Sequence, residues 1–319
     1  MTSTVTRVRE FAPSDYEALV AASNRCYPDY PWTVKEARHQ DESFDRTRFF
    51  KLRLVAEQDG VLVGGLDTGH KPSRFHADRY SFDLFVVPEA RRRGHGTALY
   101  ESGIAALRAR NALAATGGMK ESMTDGVEFV TKRGWSEVRR DWESRLSVAG
   151  FDFEKFATAD DRITKEGIRI STYADELARD GDAERKAYEL TDELRVDVPA
   201  VDAPTAESIE EWRNHWVGSP TFLPDAFFVA IDRSGRWLGM SNLEKQLEDP
   251  SFVWRGSPAR AGMPAAKASP WPSSCARSAT RSRWASITSR PGTRSRTARC
   301  CGSMRRWASK SSLRGSRSS

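Results

Sequence analysis

The residues that point most directly to chemistry lie between Val86 and Tyr100, where a basic segment with two glycines joins an apolar strand to a helix. The spacing is Arg-x-x-Gly-x-Gly, with Gly94 and Gly96 as its glycines. Glycine lets the backbone approach a ligand closely, and the first amides of a helix have no partners inside it. With three arginines at 91–93, the segment predicts a site for a polyanion such as a pyrophosphate.

Two other kinds of nucleotide-binding loop fit this segment less well. A P-loop requires Gly-x-x-x-x-Gly-Lys-Ser/Thr after a strand, and no such string follows a strand here. The dinucleotide fingerprint requires a third glycine, and Leu99 stands at that position. Taken alone, Arg-x-x-Gly-x-Gly also fits a solvated basic turn, so the flanking elements must decide.

The flanking segments predict the alternating strands and helices of an α/β fold. They are a first strand and capped helix within Val8–Leu19, two strands around the Asp-Gly turn of Leu54–Gly65, a fourth strand at Arg79–Val87, a helix after the glycines, a last helix at Gly126–Trp135 and a closing strand at Trp142–Leu146. This order places the glycine loop at the carboxyl end of the fourth strand.

The run that begins at Val86 has the form V-x-P-x-x-R-x-x-G-x-G followed by a helix, and it resembles the acetyl-CoA loop of the GNAT family of N-acetyltransferases. The resemblance covers residues 1 to about 147. It implies a mixed, mostly antiparallel central sheet flanked by helices. It also implies acetyl-CoA as cosubstrate and direct attack of an amine on the thioester, without a covalent enzyme intermediate or a metal.

The resemblance assigns roles to residues of the fourth strand and the loop. A strand amide polarises the thioester carbonyl, pantetheine pairs with the strand, and the loop amides hold the pyrophosphate. The cofactor-binding residues so implied are Phe85, Val86, Val87, Arg91, Arg92, Arg93, Gly94, His95, Gly96 and Thr97. Asp83 is the candidate catalytic base, acting through water, although it also fits an outward-facing strand residue.

Other polar and aromatic residues fall where the family binds its acceptor. His70 and His76 precede the fourth strand and either line the substrate side or are merely solvated. Five aromatic residues form a candidate cleft for an amine cation, although core packing is the better explanation for the last two: Tyr27, Tyr30, Trp32, Phe49 and Phe50.

Two positions depart from the family pattern. Met123 stands where the family often has a cofactor-contacting asparagine, and Val130 where it often has a tyrosine that protonates the thiolate. Tyr100, on the loop helix, is no obvious substitute. These departures favour a second hypothesis, a non-catalytic acyl-CoA-binding or regulatory module.

The opening pattern recurs after a charged linker at residues 148–165. A strand, a helix and a hairpin at Ala226–Leu243 repeat the first half of the N-terminal domain, which predicts a tandem GNAT protein with an incomplete second domain at 166–253. In that interpretation the third strand of the second copy lacks a partner strand. One intact loop then predicts one acetyl-CoA site per chain.

The last part of the chain differs in composition from the rest. Residues 251–319 hold 15 of the 50 basic residues and none of the 44 acidic ones, so the net charge of +6 hides an acidic body and a basic tail. We interpret residues 254–319 as a disordered Ser/Arg-rich tail created by a shifted reading frame. A genuine disordered basic tail is the alternative.

Codon arithmetic motivates the frameshift hypothesis. When each codon is read one base early, certain residue pairs force a single outcome: Trp271-Pro272 gives alanine, Trp284-Ala285 and Trp307-Ala308 give glycine, and Cys300-Cys301 gives leucine. These forced residues fall, in order, where a second GNAT loop helix and last helix would have them.

Composition limits the remaining function classes. The chain has no signal-peptide-like start and no long apolar stretch, and Cys26 is the only cysteine before residue 250, which together predict a cytoplasmic protein with no membrane partner. The basic tail suggests salt-dependent nucleic-acid binding, but no recognition motif accompanies it. We therefore expect a small-molecule amine as partner rather than a nucleic acid.

Overall fold

The computed structural model divides into two compact units, which we describe separately. The N-terminal unit comprises Met1–Arg145, Val201–Thr205 and Cys300–Ser319, and the second unit comprises Leu146–Ala200 and Ala206–Arg299. The residues that the structure describes are 6–152, 154, 157–198, 200–256, 259–260 and 303–309. Among them, no helix is both long and apolar enough to cross a membrane.

The N-terminal unit contains strands and helices in the predicted order apart from the closing strand, together with a helix at Val34–Glu42 and a strand at Ala114–Lys120 that lie outside the predicted segments. Its elements are β1 (Arg7–Glu10), α1 (Tyr16–Cys26), α2 (Val34–Glu42), β2 (Lys51–Gln58), β3 (Val61–Gly69), β4 (Arg79–Val86), α3 (His95–Ala109), β5 (Ala114–Lys120), α4 (Thr124–Thr131) and β6 (Ser136–Trp142).

The hairpin of β2 and β3 is specified by its turn. Asp59 and Gly60 both have positive φ, 52° and 79°. Two such residues give the tight turn whose twist matches that of antiparallel strands. Beyond the turn, β3 pairs antiparallel with β4, from Gly64 opposite Val86 to Gly69 opposite Ser81.

The core of the N-terminal unit lies between the sheet and α3. The helix buries Leu99, Ile104 and Leu107, which follow the helical period and are at most 3% exposed. They belong to one apolar cluster with Leu66 of β3 and Phe82 of β4. This packing fixes α3, and therefore the loop before it, against the end of β4.

β4 and β5 are parallel, and they pair over three residues only. Arg79, Tyr80 and Ser81 of β4 lie opposite residues 114–116 of β5. β4 continues to Val86 and β5 continues to Lys120, but the two strands do not pair there. The sheet therefore splits beside the carboxyl-terminal half of β4.

The second unit repeats the opening of this fold. Its elements are α5 (Ala157–Glu166), β7 (Arg169–Thr172), α6 (Tyr173–Arg179), α7 (Ala183–Arg195), α8 (Ile209–Trp212), β8 (Phe222–Ile231), β9 (Trp237–Lys245), β10 (Val253–Arg255) and β11 (Ala259–Arg260). Ser208 caps α8 with a capping box completed by Glu211. A separate core surrounds Tyr173, Leu194 and Phe227.

The third strand of the second unit has partners, contrary to the sequence expectation. β10 pairs with β9 from Val253 opposite Lys245, and β11 continues with Ala259 opposite Met240. Between them, the amide of Gly256 donates to the carbonyl of Asn242 (3.0 Å). The expectation was wrong because residues 253–256 and 259–260 pair with β9 through their backbone groups.

A strand from the tail completes the sheet of the N-terminal unit. β12 (Ser303–Ser309) lies between β5 and β6, antiparallel to both, which gives the order β1-β2-β3-β4-β5-β12-β6. Trp142–Leu146 was predicted to close the sheet, but β6 ends at Trp142. The prediction of a disordered tail does not hold at 303–309, while residues 261–302 and 310–319 lie outside the described residues.

Because β12 is hydrogen-bonded on both sides, proline within it should destabilise the chain. Arg305 lies opposite Met119 of β5 and Arg140 of β6. Proline there removes a ladder hydrogen bond and cannot be accommodated in a central strand. We expect Arg305→Pro to lower the free energy of unfolding by about 1–3 kcal/mol, the cost of a buried backbone group left without its partner, measured by urea denaturation of the full chain.

The matched control is Ser312→Pro, which lies beyond the strand and should leave stability unchanged. Equal stability of both variants and the wild type would contradict the placement of β12 and support a disordered tail.

Candidate active site

The glycine loop has the geometry of an anion-binding turn. After β4, a single 3-10 turn (Pro88–Ala90) leads to Arg92 and Gly94, which have φ of 61° and 92°. α3 then begins at His95, and the amide of Ala98 donates to the carbonyl of Gly94 (3.0 Å). The amides that precede Ala98 lie before the first helical hydrogen bond and are thus available to an anion.

The three arginines of the loop differ in their contacts. The Arg91 Nε–H donates to the carbonyl of Val86 (3.0 Å), which closes the turn. Arg92 is exposed and pairs with Asp125 and Glu128 at the start of α4. Arg93 NH1 donates to Gln58 Oε1 at 3.4 Å. Their positive charge surrounds the loop, but their side chains also fix its shape.

The ring of His95 is buried inside the protein and supports the loop instead of facing the anion site. The side chain is 1% exposed and contacts Thr6 and Gln58. Burial lowers the pKa of His95, and the charge of Arg93 lowers it further. Its backbone amide, at the first position of α3, is the group that faces the anion site.

The split in the sheet exposes alternate amides of β4. The Val87 amide donates to the carbonyl of Val63 (2.9 Å), toward β3. Amides alternate in direction along an antiparallel pair, so Phe85 also points its amide toward β3. Leu84 and Val86 point theirs into the split. Of the three residues implied by the family resemblance, only Val86 therefore offers its amide there.

A cavity of about 310 Å³ adjoins the split on the α1 side of the sheet. Its lining mixes apolar, aromatic and charged side chains from α1, β2, β3 and β4, namely Leu19, Ser23, Tyr27, Trp32, Phe44, Lys51, Arg53, Gly65, Leu66, Asp67, Gly69, His70, Ser81, Asp83, Leu84 and Phe85. This volume suits a small molecule.

Three charged residues form a row across the floor of this cavity. Arg53 of β2 lies opposite Asp67 of β3, and Asp67 lies opposite Asp83 of β4. The predicted base Asp83 therefore lines the cavity, with a second carboxylate beside it. Burial raises the pKa of Tyr27, and the nearby Asp83 carboxylate raises it further, so the phenol remains neutral.

Arg53 is the buried centre of an ionic network. Its side chain is 6% exposed and donates to Asp41 Oδ2 (2.6 Å) and Asp67 Oδ2 (2.6 Å). Asp41 also accepts from Lys51 Nζ (2.8 Å) and from the Tyr16 hydroxyl (2.7 Å). Although burial favours the neutral acid, these hydrogen bonds hold the pKa of Asp41 below its usual value.

The two candidate histidines differ in position and contacts. His70 lines the cavity, but its Nδ1 accepts from the Phe50 amide (3.0 Å) and its Nε2 faces the Ala77 carbonyl (3.2 Å). Burial lowers its pKa, so a neutral, structural ring is indicated. His76 is not part of the cavity lining and pairs with Asp78.

The aromatic cleft is smaller than the sequence suggested. Tyr27 and Trp32 line the cavity, and Phe44 joins them. Tyr30 donates its hydroxyl to Glu143 instead, and Phe49 is a buried residue at 7% exposure. Phe50 packs edge-on against Tyr80.

The positions that depart from the family pattern are apolar in the structure as well. Met123 precedes the first turn of α4 without a side-chain cap, and Val130 packs against the core. Tyr100 is buried, and its hydroxyl accepts from Trp135 Nε1 (3.2 Å). No hydroxyl acid therefore takes the place of the missing tyrosine at these positions. Among the described residues, no group of histidine, cysteine and carboxylate side chains could hold a metal ion.

Residues 16–134 match the family described as Acetyltransferase (GNAT) family. Over these residues the N-terminal unit is therefore similar to GNAT acetyltransferases. Over 114 residues the chain is 37% identical to a mycothiol acetyltransferase of Thermobispora bispora, covering 33% of this chain and 37% of that protein. Over 231 residues it is 26% identical to a mycothiol acetyltransferase of Thermobifida fusca, covering 71% and 66%. The chain thus spans less than two thirds of either relative.

Two solved structures share the fold across most of the chain. A GCN5-related N-acetyltransferase from Sphaerobacter thermophilus aligns with a TM-score of 0.61 at 18% identity, over 97% of this chain and 96% of that one. A tandem GNAT protein from the clavulanic acid biosynthesis pathway aligns with a TM-score of 0.59 at 15% identity, over 81% and 80%. The predicted α/β fold, with a mostly antiparallel sheet flanked by helices, is confirmed, and these structural neighbours include a tandem GNAT protein.

Removal of the Arg53 charge should destabilise the N-terminal unit. Arg53→Met leaves two carboxylates without their shared cation, and breaking a buried pair in this way is costly. Because Asp67 is partly exposed, we expect a loss of about 3 kcal/mol, measured by urea denaturation. Arg7→Met, on the exposed part of β1, is the control, and equal stability of the two variants would contradict the network.

Proposed function

We propose that the N-terminal unit is an acetyl-CoA-dependent N-acetyltransferase that acetylates a primary amine of a small molecule. The observation that carries the proposal is the split between β4 and β5, which opens directly beside the glycine loop. An extended pantetheine chain can pair with the outward amide of Val86, which places its thioester end toward Leu84. The pyrophosphate can bind the amides at the start of α3.

The proposed reaction uses few protein groups. Asp83 accepts a proton from the ammonium form of the acceptor through water, and the neutral amine attacks the thioester carbon. The attack forms the C–N bond, and the Leu84 amide, the outward amide farther from the glycine loop, stabilises the resulting oxyanion. When the oxyanion collapses, the C–S bond breaks and the nitrogen releases its remaining excess proton to water. Because Val130 replaces the family tyrosine, we propose that the departing thiolate takes its proton from water.

The names of the two curated relatives support acetyl transfer as the activity to test first. For the same reason, a panel of possible acceptors should include amine-bearing compounds related to mycothiol. A cytoplasmic location, which the lone early Cys26 favours, is part of the same proposal.

A non-catalytic acyl-CoA-binding module is the second candidate function. The apolar residues Met123 and Val130 favour it, because they remove a cofactor contact and an acid found in many relatives. The two functions are separated by thiol release: a binding module retains affinity for CoA but releases no thiol from acetyl-CoA with any amine of the panel.

Substitution of Gly94 should weaken CoA binding. A side chain at φ 92° disfavours the loop conformation, and about 1 kcal/mol of stability is lost. The displaced amides each lose a charge-assisted hydrogen bond of about 1.5–3 kcal/mol. We expect Gly94→Ala to raise the CoA dissociation constant about tenfold or more, measured by calorimetry.

The control for this prediction is Gly60→Ala in the β2–β3 turn. Gly60 also has positive φ, and at both glycines a Cβ would meet no atom within 4 Å. The two variants should lose similar stability, but Gly60→Ala should bind CoA normally. Normal binding by Gly94→Ala would show that the loop is not the cofactor site.

Removal of the Asp83 charge should impair catalysis and spare cofactor binding. General-base catalysis contributes about 100-fold or more, so we expect Asp83→Asn to reduce kcat by that factor in a thiol-release assay. Its CoA dissociation constant should stay unchanged. Glu101→Gln, an exposed carboxylate on α3, is the control, and full activity of Asp83→Asn would exclude Asp83 as the base.

A further inference from the structure

The first turn of α3 is held from inside the protein by the side chain of His95. Its two ring nitrogens contact two other segments of the N-terminal unit: Nδ1 lies 2.9 Å from Thr6 Oγ1, and Nε2 lies 3.1 Å from Gln58 Oε1. Thr6 immediately precedes β1, and Gln58 is the last residue of β2. One buried ring therefore joins both strands to the start of the helix.

The chemistry of the partners fixes the direction of these hydrogen bonds. Arg93 NH1 also contacts Gln58 Oε1, at 3.4 Å. A guanidinium has only donors, so the atom of Gln58 that it meets must be the amide oxygen. His95 Nε2 must then carry the proton, and Nδ1 accepts from the Thr6 hydroxyl. Gln58 thus receives hydrogen bonds from the first residue of α3 and from an arginine of the glycine loop.

The same turn is held on its other side by α4 and the residues after it. Arg133 NH2 donates to Thr97 Oγ1 (3.0 Å), and its guanidinium stacks on the ring of Phe129 at 3.7 Å. His95 and Thr97 are the first and third residues of α3. Contacts at both positions fix the rotation of this turn, and therefore the direction of its free amides.

We propose that Gln58 and Thr6, acting through His95, are positioning residues for the pyrophosphate of acyl-CoA. This inference rests on the proposed function. Their role is to orient the amides of the first turn before the ligand arrives, so that binding does not have to order them. Neither side chain needs to touch the ligand.

The test compares ligands with and without the pyrophosphate. Gln58→Met removes the oxygen acceptor at similar length, and Thr6→Val removes the hydroxyl at similar volume. We expect the CoA dissociation constant to rise about fivefold or more in Gln58→Met and about threefold in Thr6→Val. Binding of pantetheine, which lacks the pyrophosphate, should change less than twofold, as measured by NMR titration of the full chain.

Thr33→Val controls for lost stability alone. Thr33 caps α2 through Glu36, so its loss destabilises the unit without touching the loop, and CoA binding should remain normal. Parallel weakening of CoA and pantetheine, or unchanged CoA binding in both variants, would overturn the positioning role. If Gln58→Met fails to fold, the CoA and pantetheine affinities of Thr6→Val alone test the positioning role. A wild-type chain that does not bind CoA would overturn the proposed function itself and this inference with it.

Discussion

The early end of the β4–β5 pairing is the constraint on which the rest of the site depends. After Ser81 the two parallel strands separate, so in the part of the chain that the structure describes no strand pairs with the outward amides of β4. Backbone groups in such a position favour pairing with an extended partner. The glycine loop begins where β4 ends. An extended ligand with a terminal polyanion can therefore pair with the open edge of β4 and bind the loop at the same time.

The short β4–β5 pairing leaves β12 as the more extensively paired neighbour of β5. β5 pairs with β4 at residues 114–116 only, whereas β12 pairs with it from residue 115 to residue 120. Pairing of this kind uses backbone hydrogen bonds, which depend only weakly on side-chain identity. A strand at 303–309 is therefore compatible with either reading frame of the tail, and the frameshift stays a hypothesis.

Local sequence patterns predicted the parts of the fold that depend on residues close together in the chain. The Asp59-Gly60 turn, the apolar face of α3 and the glycine loop each follow from neighbouring residues. The pairing of β5 with β12 did not emerge, because pairing across more than a hundred residues leaves no trace in local periodicity. The partners of β9 did not emerge because β10 and β11 are only three and two residues long. The ionic network around Arg53 was also missed. An arginine between two leucines in an apolar strand was the available clue, but its partners Asp41 and Asp67 come from other elements.

The most direct test of this account is hydrogen–deuterium exchange of the full chain with and without CoA. If CoA binds along β4 and the glycine loop, the Leu84 and Val86 amides and the amides at the start of α3 should exchange more slowly. The second unit should gain no protection. Protection confined to the second unit, or none between residues 84 and 97, would contradict the assignment of the split and the glycine loop as the acyl-CoA site.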